Sequence, residues 1–185
     1  MIEVCKYDPA WADRFEALRA EYAAALEAAA VPFVSIEHVG STSVPGLAAK
    51  PIIDIDIVVA QAGVDAASSV LVSLGFEPRG DLGIPQRWAF WEPDRLAGTN
   101  TYVIVAGSLA VRDHLAVRDT LRADPDLRTE YGDVKKRVGA AASDIYEYGA
   151  GKNATVQRIL AAAGLSAEER ASIDANQAPV TTPKR

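Results

Sequence analysis

Sulfur and positive charge are both scarce in this chain. Among its 185 residues there is one cysteine, Cys5, so an intramolecular disulfide is excluded and a reducing cytoplasm is the expected setting. With only Lys6 as a basic neighbour and no partner, Cys5 is not expected to act as a nucleophile. Lysine and arginine number 19 against 25 acidic residues, a formal net charge of −6. No global basic field draws in nucleic acid, which argues against a polymerase-like partner and leaves only tRNA at a local patch. No apolar run reaches membrane-spanning length, and the first residues lack the basic and apolar regions of a signal peptide, so no membrane partner is expected. What is present is apolar: 49% of residues are hydrophobic, enough at this length for one sizeable core and a single domain.

The order of elements reads as α+β. Asp8 and Pro9 suit a helix start, and Trp11, Phe15, Leu18, Tyr22 and Leu26 recur at helical spacing to about Ala30. Strands are predicted over 33–39, 51–60, 76–79, 87–93 and 99–106, with a helix at 64–74 stopped by Gly75. Helices are predicted over about 108–122, 125–141, 143–149 and 153–163, and Ser166 with Glu169 forms a capping box for a last short one. The expected architecture is a small mixed β-sheet with flanking helices (about 1–107) followed by an α-helical C-terminal part (about 108–176), with 177–185 a polar tail.

The stretch from His38 to Val59 carries the chemistry. Asp54 and Asp56 alternate with Ile53, Ile55 and Ile57, so the two carboxylates share one face of a strand, about 7 Å apart at the backbone, while the isoleucines anchor the other. Apposed carboxylates repel unless a positive charge sits between them. A hard cation such as Mg²⁺ or Mn²⁺, which takes oxygen ligands and leaves positions for phosphate oxygens, answers that need. Upstream, Gly40 allows close backbone approach to a phosphate and the Ser41 hydroxyl can donate to one; the amides after Ser41 would add an anion-binding end.

Gly40-Ser41 followed by Asp54-x-Asp56 resembles the signature of the DNA polymerase β-type nucleotidyltransferase superfamily, and the whole run His38-Val-Gly-Ser-Thr-Ser-Val-Pro-Gly-Leu-Ala-Ala-Lys-Pro-Ile-Ile-Asp54 is similar to its GrpB branch. The resemblance continues through Phe76, Leu115-x-x-Arg118-Asp119-x-Leu121-Arg122, Tyr131-x-x-x-Lys135 and Tyr148-x-x-x-Lys152, and so covers roughly residues 5 to 163. It implies a Mg²⁺-dependent enzyme that uses ATP to adenylylate a small-molecule acceptor, or to activate a carboxylate for ligation to an amine. A non-catalytic nucleotide- or CoA-binding protein is the alternative, since this branch also occurs fused to dephospho-CoA kinases. The expected metal ligands and catalytic residues are Asp54 and Asp56, and the nucleotide would be held by Gly40, Ser41, Lys50, Arg118 and Lys152.

One departure stands out. Where the superfamily carries a third carboxylate, and this branch a His-x-His pair, the chain reads Thr99-Asn100-Thr101-Tyr102, which makes Asn100 and Tyr102 substrate-binding candidates. Glu92 and Asp94 are alternative sources of the carboxylate. Lys135-Lys136-Arg137 reads as a solvated helix face, His38 as a hydrogen-bonded strand residue and His114 as a helix-face side chain.

Overall fold

The computed structural model describes residues 2–176, so the tail expected at 177–185 lies outside the described residues. Five strands form one mixed sheet. β1 (Ser35–Val39) runs antiparallel to β2 (Ile53–Val59), and β2 runs parallel to β5 (Thr99–Val105). β4 (Arg87–Trp91) and β3 (Glu77–Gly80) continue the sheet antiparallel, giving the order β1-β2-β5-β4-β3. The strands start or stop one to two residues from the predicted bounds.

Alternation along the central strands divides the sheet into an apolar and a functional face. Ile53, Ile55, Ile57 and Val59 of β2, with Val103 and Val105 of β5, pack against α1 (Ala10–Ala28) and α2 (Val64–Ser73). The helical spacing of Trp11, Phe15, Leu18, Tyr22 and Leu26 is realised as the buried stripe of α1. Burying such side chains contributes about 1.5–3 kcal/mol each before entropic costs, so this layer is the mechanical base of the molecule.

The opposite face carries Asp54, Asp56 and Val58, in register with Asn100, Tyr102 and Ile104. It is covered by α3 (Leu109–Ala123), α4 (Pro125–Ala141) and α5 (Ile145–Ala162). Val58 and Ile104 meet Ala110 and Val111 of α3, while Leu121, Leu127, Tyr131 and Ile159 clasp Val44 and Leu47 of the loop after β1. The helical part therefore fixes that loop against the aspartate strand.

Residues 145–162 form one helix, where the sequence suggested two. Gly149 and Gly151 cost about 1 kcal/mol each relative to alanine in a helix interior, yet the helix runs through both. Gly151 lets α5 approach α4: a Cβ there would lie 2.5 Å from Val138 Cγ1. Asp144 starts α5 by accepting hydrogen bonds from the amides of Tyr146 and Glu147. Ser166 and Glu169 form the expected reciprocal pair at the start of α6 (Ala167–Asn176), Glu169 accepting from the Ser166 amide and Ser166 from the Glu169 amide. Among the described residues, no helix is long and apolar enough to cross a membrane.

Candidate active site

Gly40 ends β1 with φ +68°, a left-handed conformation that favours glycine, and turns the chain onto the Asp54 carboxylate. A Cβ at Gly40 would stand 2.1 Å from Asp54 Oδ2, so this position holds the loop against the strand in a way no side chain permits. The turn is braced from behind. Thr42 Oγ1 donates to the Ile52 carbonyl (2.9 Å) and pairs with His38 Nε2 (3.0 Å), and the Arg122 guanidinium donates to the Ser43 carbonyl at 2.7 and 3.0 Å. Burial, helped by Arg122 and Arg118, lowers the His38 pKa to about 4, so the ring is a neutral hydrogen-bonding strut stacked on Phe15. Of the amides after Ser41, those of Ser43 and Val44 are engaged within the turn, donating to the carbonyls of Gly40 and Ser41, both at 3.3 Å.

The two aspartates have different surroundings. Asn100 Nδ2 donates to Asp54 Oδ1 at 2.7 Å. Burial raises the Asp54 pKa, and the Asn100 hydrogen bond with the charges of His114 and Lys152 offsets only part of that rise. Asp56 is completely buried; its Oδ2 accepts from His114 Nδ1 at 2.7 Å, and its Oδ1 has no protein partner. A buried carboxylate oxygen with no donor is a costly state that a cation relieves. Two carboxylates, with water and phosphate oxygens completing the shell, fit the way Mg²⁺ is held. Among the described residues, no cluster of three or more His, Cys, Asp or Glu side chains is placed to hold a metal, so the pair alone would carry it.

A cavity of about 250 Å³ opens over Asp54, lined among others by Ser41, Lys50, Asn100, Tyr148 and Lys152. Tyr148 and Lys152 share one face of α5, and the lysine Nζ sits 4.3 Å from the tyrosine ring centroid. Tyr131 and Lys135 repeat this arrangement on α4, at 4.8 Å. The solvated face expected at 135–137 holds for Lys136 and Arg137, which are exposed, but not for Lys135, which is 1% exposed and has its Nζ buried with no hydrogen-bond acceptor. Burial and the neighbouring Lys152 charge bring Lys135 down to about 6 against the attraction of Asp54. Lys152 falls to about 8 through burial and repulsion from Lys50, and Lys50 is lowered by burial. Lys50 and Lys152 thus share the cavity with Asp54, Lys135 lies near enough to feel the same carboxylate, and all three lysines hold their protons less tightly than usual.

Five of the sequence-derived residues, Ser41, Lys50, Asp54, Asn100 and Lys152, line this one cavity, with Gly40 in contact and Asp56 two residues further along β2. Tyr102 lies in register with Asp56, under the Arg87 guanidinium (4.6 Å), and its hydroxyl is pushed up to about 12 by burial and the nearby carboxylates. Neither Tyr102 nor Arg118 lines the cavity. The Arg118 guanidinium donates to Glu37 (2.7 Å), to the His38 carbonyl (3.2 Å) and to Asp119 (2.8 Å). Glu37, directly opposite Asp56 on β1, is the carboxylate that register places beside the pair, and Arg118 occupies it. Glu92 and Asp94 do not line the cavity either.

Sequence reasoning missed His114 and Lys135. The second was within reach, because Tyr131-x-x-x-Lys135 and Tyr148-x-x-x-Lys152 have the same spacing. Nothing local announces His114, whose role depends on how α3 lies across the sheet.

A family model described as GrpB, GrpB protein, matches residues 1–162. The UPF0157 protein YqkA of Bacillus subtilis is 34% identical over 157 residues, which cover 82% of this chain and 44% of YqkA, so the chain spans less than half of that relative. The crystal structure of the conserved protein GrpB from Enterococcus faecalis has a TM-score of 0.74 at 32% identity, covering 87% of this chain and 96% of that one. A GLD-2/RNP-8 complex has a TM-score of 0.54 at 13% identity over 84% of this chain and 61% of that one, a likeness of fold alone. With its mixed sheet and helical cover the fold is nucleotidyltransferase-like, and by the match over residues 1–162 the chain belongs to the GrpB family.

Proposed function

We propose that this protein is a Mg²⁺-dependent nucleotidyltransferase-type enzyme of the reducing cytoplasm. It uses ATP to adenylylate a small-molecule acceptor, or to activate a carboxylate for ligation to an amine. The observation that carries the proposal is that Lys50 and Lys152 line one cavity with Asp54, beside a buried Asp56 oxygen that lacks a donor. Cations that are costly without an anion, next to carboxylates that are costly without a cation, suit a metal–triphosphate ligand.

Asp54 and Asp56 would hold the ion, which when bound supplies Lewis acidity to the phosphate oxygens. The lysines neutralise the phosphates and the charge that builds on the leaving pyrophosphate, and the Ser41 hydroxyl donates to a phosphate oxygen. Gly40 keeps the loop close enough for both. In transfer, the acceptor forms a bond to the α-phosphorus as the bond to the bridging oxygen breaks, and pyrophosphate leaves with the electron pair.

A non-catalytic nucleotide- or CoA-binding role has one observation in its favour. Asn100 and His114 each donate a hydrogen bond to one of the two aspartates, a quieting that metal-free binding would not disturb. One experiment separates the readings: thermal shift with the four nucleoside triphosphates, with and without Mg²⁺, on wild type and Asp54→Asn, followed by pyrophosphate release. A ligand that binds the native state raises the melting temperature by mass action. A Mg²⁺-dependent shift with ATP, lost in the variant, and pyrophosphate release with an acceptor support transfer. A shift indifferent to Mg²⁺ and to Asp54 supports the binder, and no shift with any triphosphate overturns both nucleotide readings.

A further inference from the structure

A second cavity, of about 300 Å³, is lined in part by His114 and shares no lining residue with the first. Its walls combine apolar Ile84, Leu109 and Ile173 with charged Arg87, Asp113 and His114. The same imidazole that donates to Asp56 forms part of this wall, so a ligand here is one residue away from the aspartate pair. The volume is at the low end for small-molecule sites, and the mixed apolar and charged lining suits a compact second substrate.

The charges define what fits. Arg87 and Asp113 form no salt bridge with one another or, among the described residues, with any other side chain, although each lies close enough to influence the other electrostatically. The guanidinium lies over the Tyr102 ring, and its Nε–H is buried with no acceptor. A desolvated guanidinium donor is satisfied best by a carboxylate, through two parallel hydrogen bonds. Asp113 offers an ammonium group the complementary partner, and the aliphatic residues between them receive a side chain.

We propose that this cavity is the acceptor pocket and that it takes an amino acid with an apolar side chain, its carboxylate on Arg87, its ammonium on Asp113 and its side chain against Leu109 and Ile173. The assignment of the occupant as an acceptor rests on the transferase reading above; the binding chemistry does not. Ser172 and Ile173 come from α6, beyond the residues 1–162 that match the family model, so part of this wall is supplied by a segment outside the match. That segment is fastened in place by the Arg112–Glu169 ion pair at 2.7 Å and by Leu165 and Ile173 packing beside Leu109.

The test is calorimetric titration of the full chain with leucine, 4-methylpentanoate (no ammonium) and isoamylamine (no carboxylate), with valine, methionine and phenylalanine to scan the side chain. At least one of the amino acids should bind saturably, and each stripped analogue should lose about tenfold or more, the scale of one charge-assisted contact. Arg87→Met and Asp113→Asn should each weaken the amino acid about tenfold, and Ser172→Trp, at an exposed position on the rim, should block it without a loss of melting temperature. Asp54→Asn should leave it unchanged. Binding that ignores these substitutions, or absence of binding by every amino acid both with and without MgATP, overturns the proposal. Amino acid binding without any triphosphate binding would keep the pocket and sink the transferase reading; triphosphate binding without amino acid binding would do the reverse.

Discussion

The imidazole Nδ1 of His114 stands 2.7 Å from Oδ2 of Asp56, joining a helix of the C-terminal part to the central strand through a buried ion pair. Burial works against the imidazolium, but the charge of Asp56 and its hydrogen bond outweigh it and bring the pKa from 6.5 to about 9. A folded-state pKa above the unfolded one gives stability that is complete below pH 6.5 and is lost as pH rises through about 9. Lys135 acts in the opposite sense over part of this range, so the readout is the difference between wild type and His114→Gln in denaturant unfolding. The gap should be on the order of 3 kcal/mol below pH 6.5 and narrow through about pH 9. A gap that does not change with pH would show that the pair is not ionic.

Lys135 is a buried cation without an acceptor, and Met has a similar shape without the charge. With a folded pKa near 6 against 10.5 unfolded, the lysine costs most stability below about pH 6, and the cost fades as pH rises toward 10.5. Lys135→Met should therefore raise the unfolding free energy measured in denaturant, by on the order of 2 kcal/mol at pH 6 and less at higher pH. The same variant should weaken MgATP binding about tenfold, for one lost phosphate contact. Stabilisation with undiminished affinity would remove Lys135 from the site.

Gly40 and Gly80 both have positive φ, +68° and +76°, but only Gly40 has a neighbour in the way. Gly80→Ala should cost about 1 kcal/mol of backbone strain alone. Gly40→Ala adds a collision with Asp54 Oδ2 and should cost about 3 kcal/mol, with loss of nucleotide binding. Equal losses in urea unfolding would mean that the close approach of loop and strand is not what position 40 provides.

Two glycines of α5 should respond with opposite signs. At Gly149 a Cβ meets nothing within 4 Å, so alanine should stabilise the helix by about 1 kcal/mol. At Gly151 it meets Val138 Cγ1 at 2.5 Å, and overpacking should destabilise by about 2 kcal/mol. Thermal denaturation of the pair of variants checks both, and a stabilising Gly151→Ala would show that α4 and α5 are less tightly apposed.

Arg118 matches the family motif yet is engaged with Glu37 and Asp119. Arg118→Ala should leave the affinity for MgATP within about twofold, while Lys152→Ala lowers it about tenfold. A tenfold fall for Arg118→Ala would return it to the nucleotide site.

How far the sequence carried this reading follows from which interactions are local. The shared face of Asp54 and Asp56, the Gly40 turn and the Ser166–Glu169 cap depend on residues a few positions apart, and each follows from strand alternation or capping geometry. Distant partners were not legible. His114 meets Asp56 across 58 positions and Arg118 meets Glu37 across 81, and both contacts depend on the angle at which α3 crosses the sheet. Lys135 misled for a further reason: a run of three basic residues has the composition of a solvated face, but only one of the three turns inward on a helix. The predicted helices stop at 149 and resume at 153, whereas α5 continues through Gly149 and Gly151, and Gly151 meets the neighbouring helix, a packing that local propensity does not encode.

The buried lysines near Asp54 also make this region a store of exchangeable protons. With Lys135 near 6 and Lys152 near 8, part of this charge is absent from the ligand-free protein at neutral pH, and an arriving polyanion restores it by drawing protons from solution. On the proposed function, phosphate binding and proton uptake would be a single event: the heat of binding would depend on the buffer that gives up the protons, and the affinity for a triphosphate would climb as the medium becomes mildly acidic.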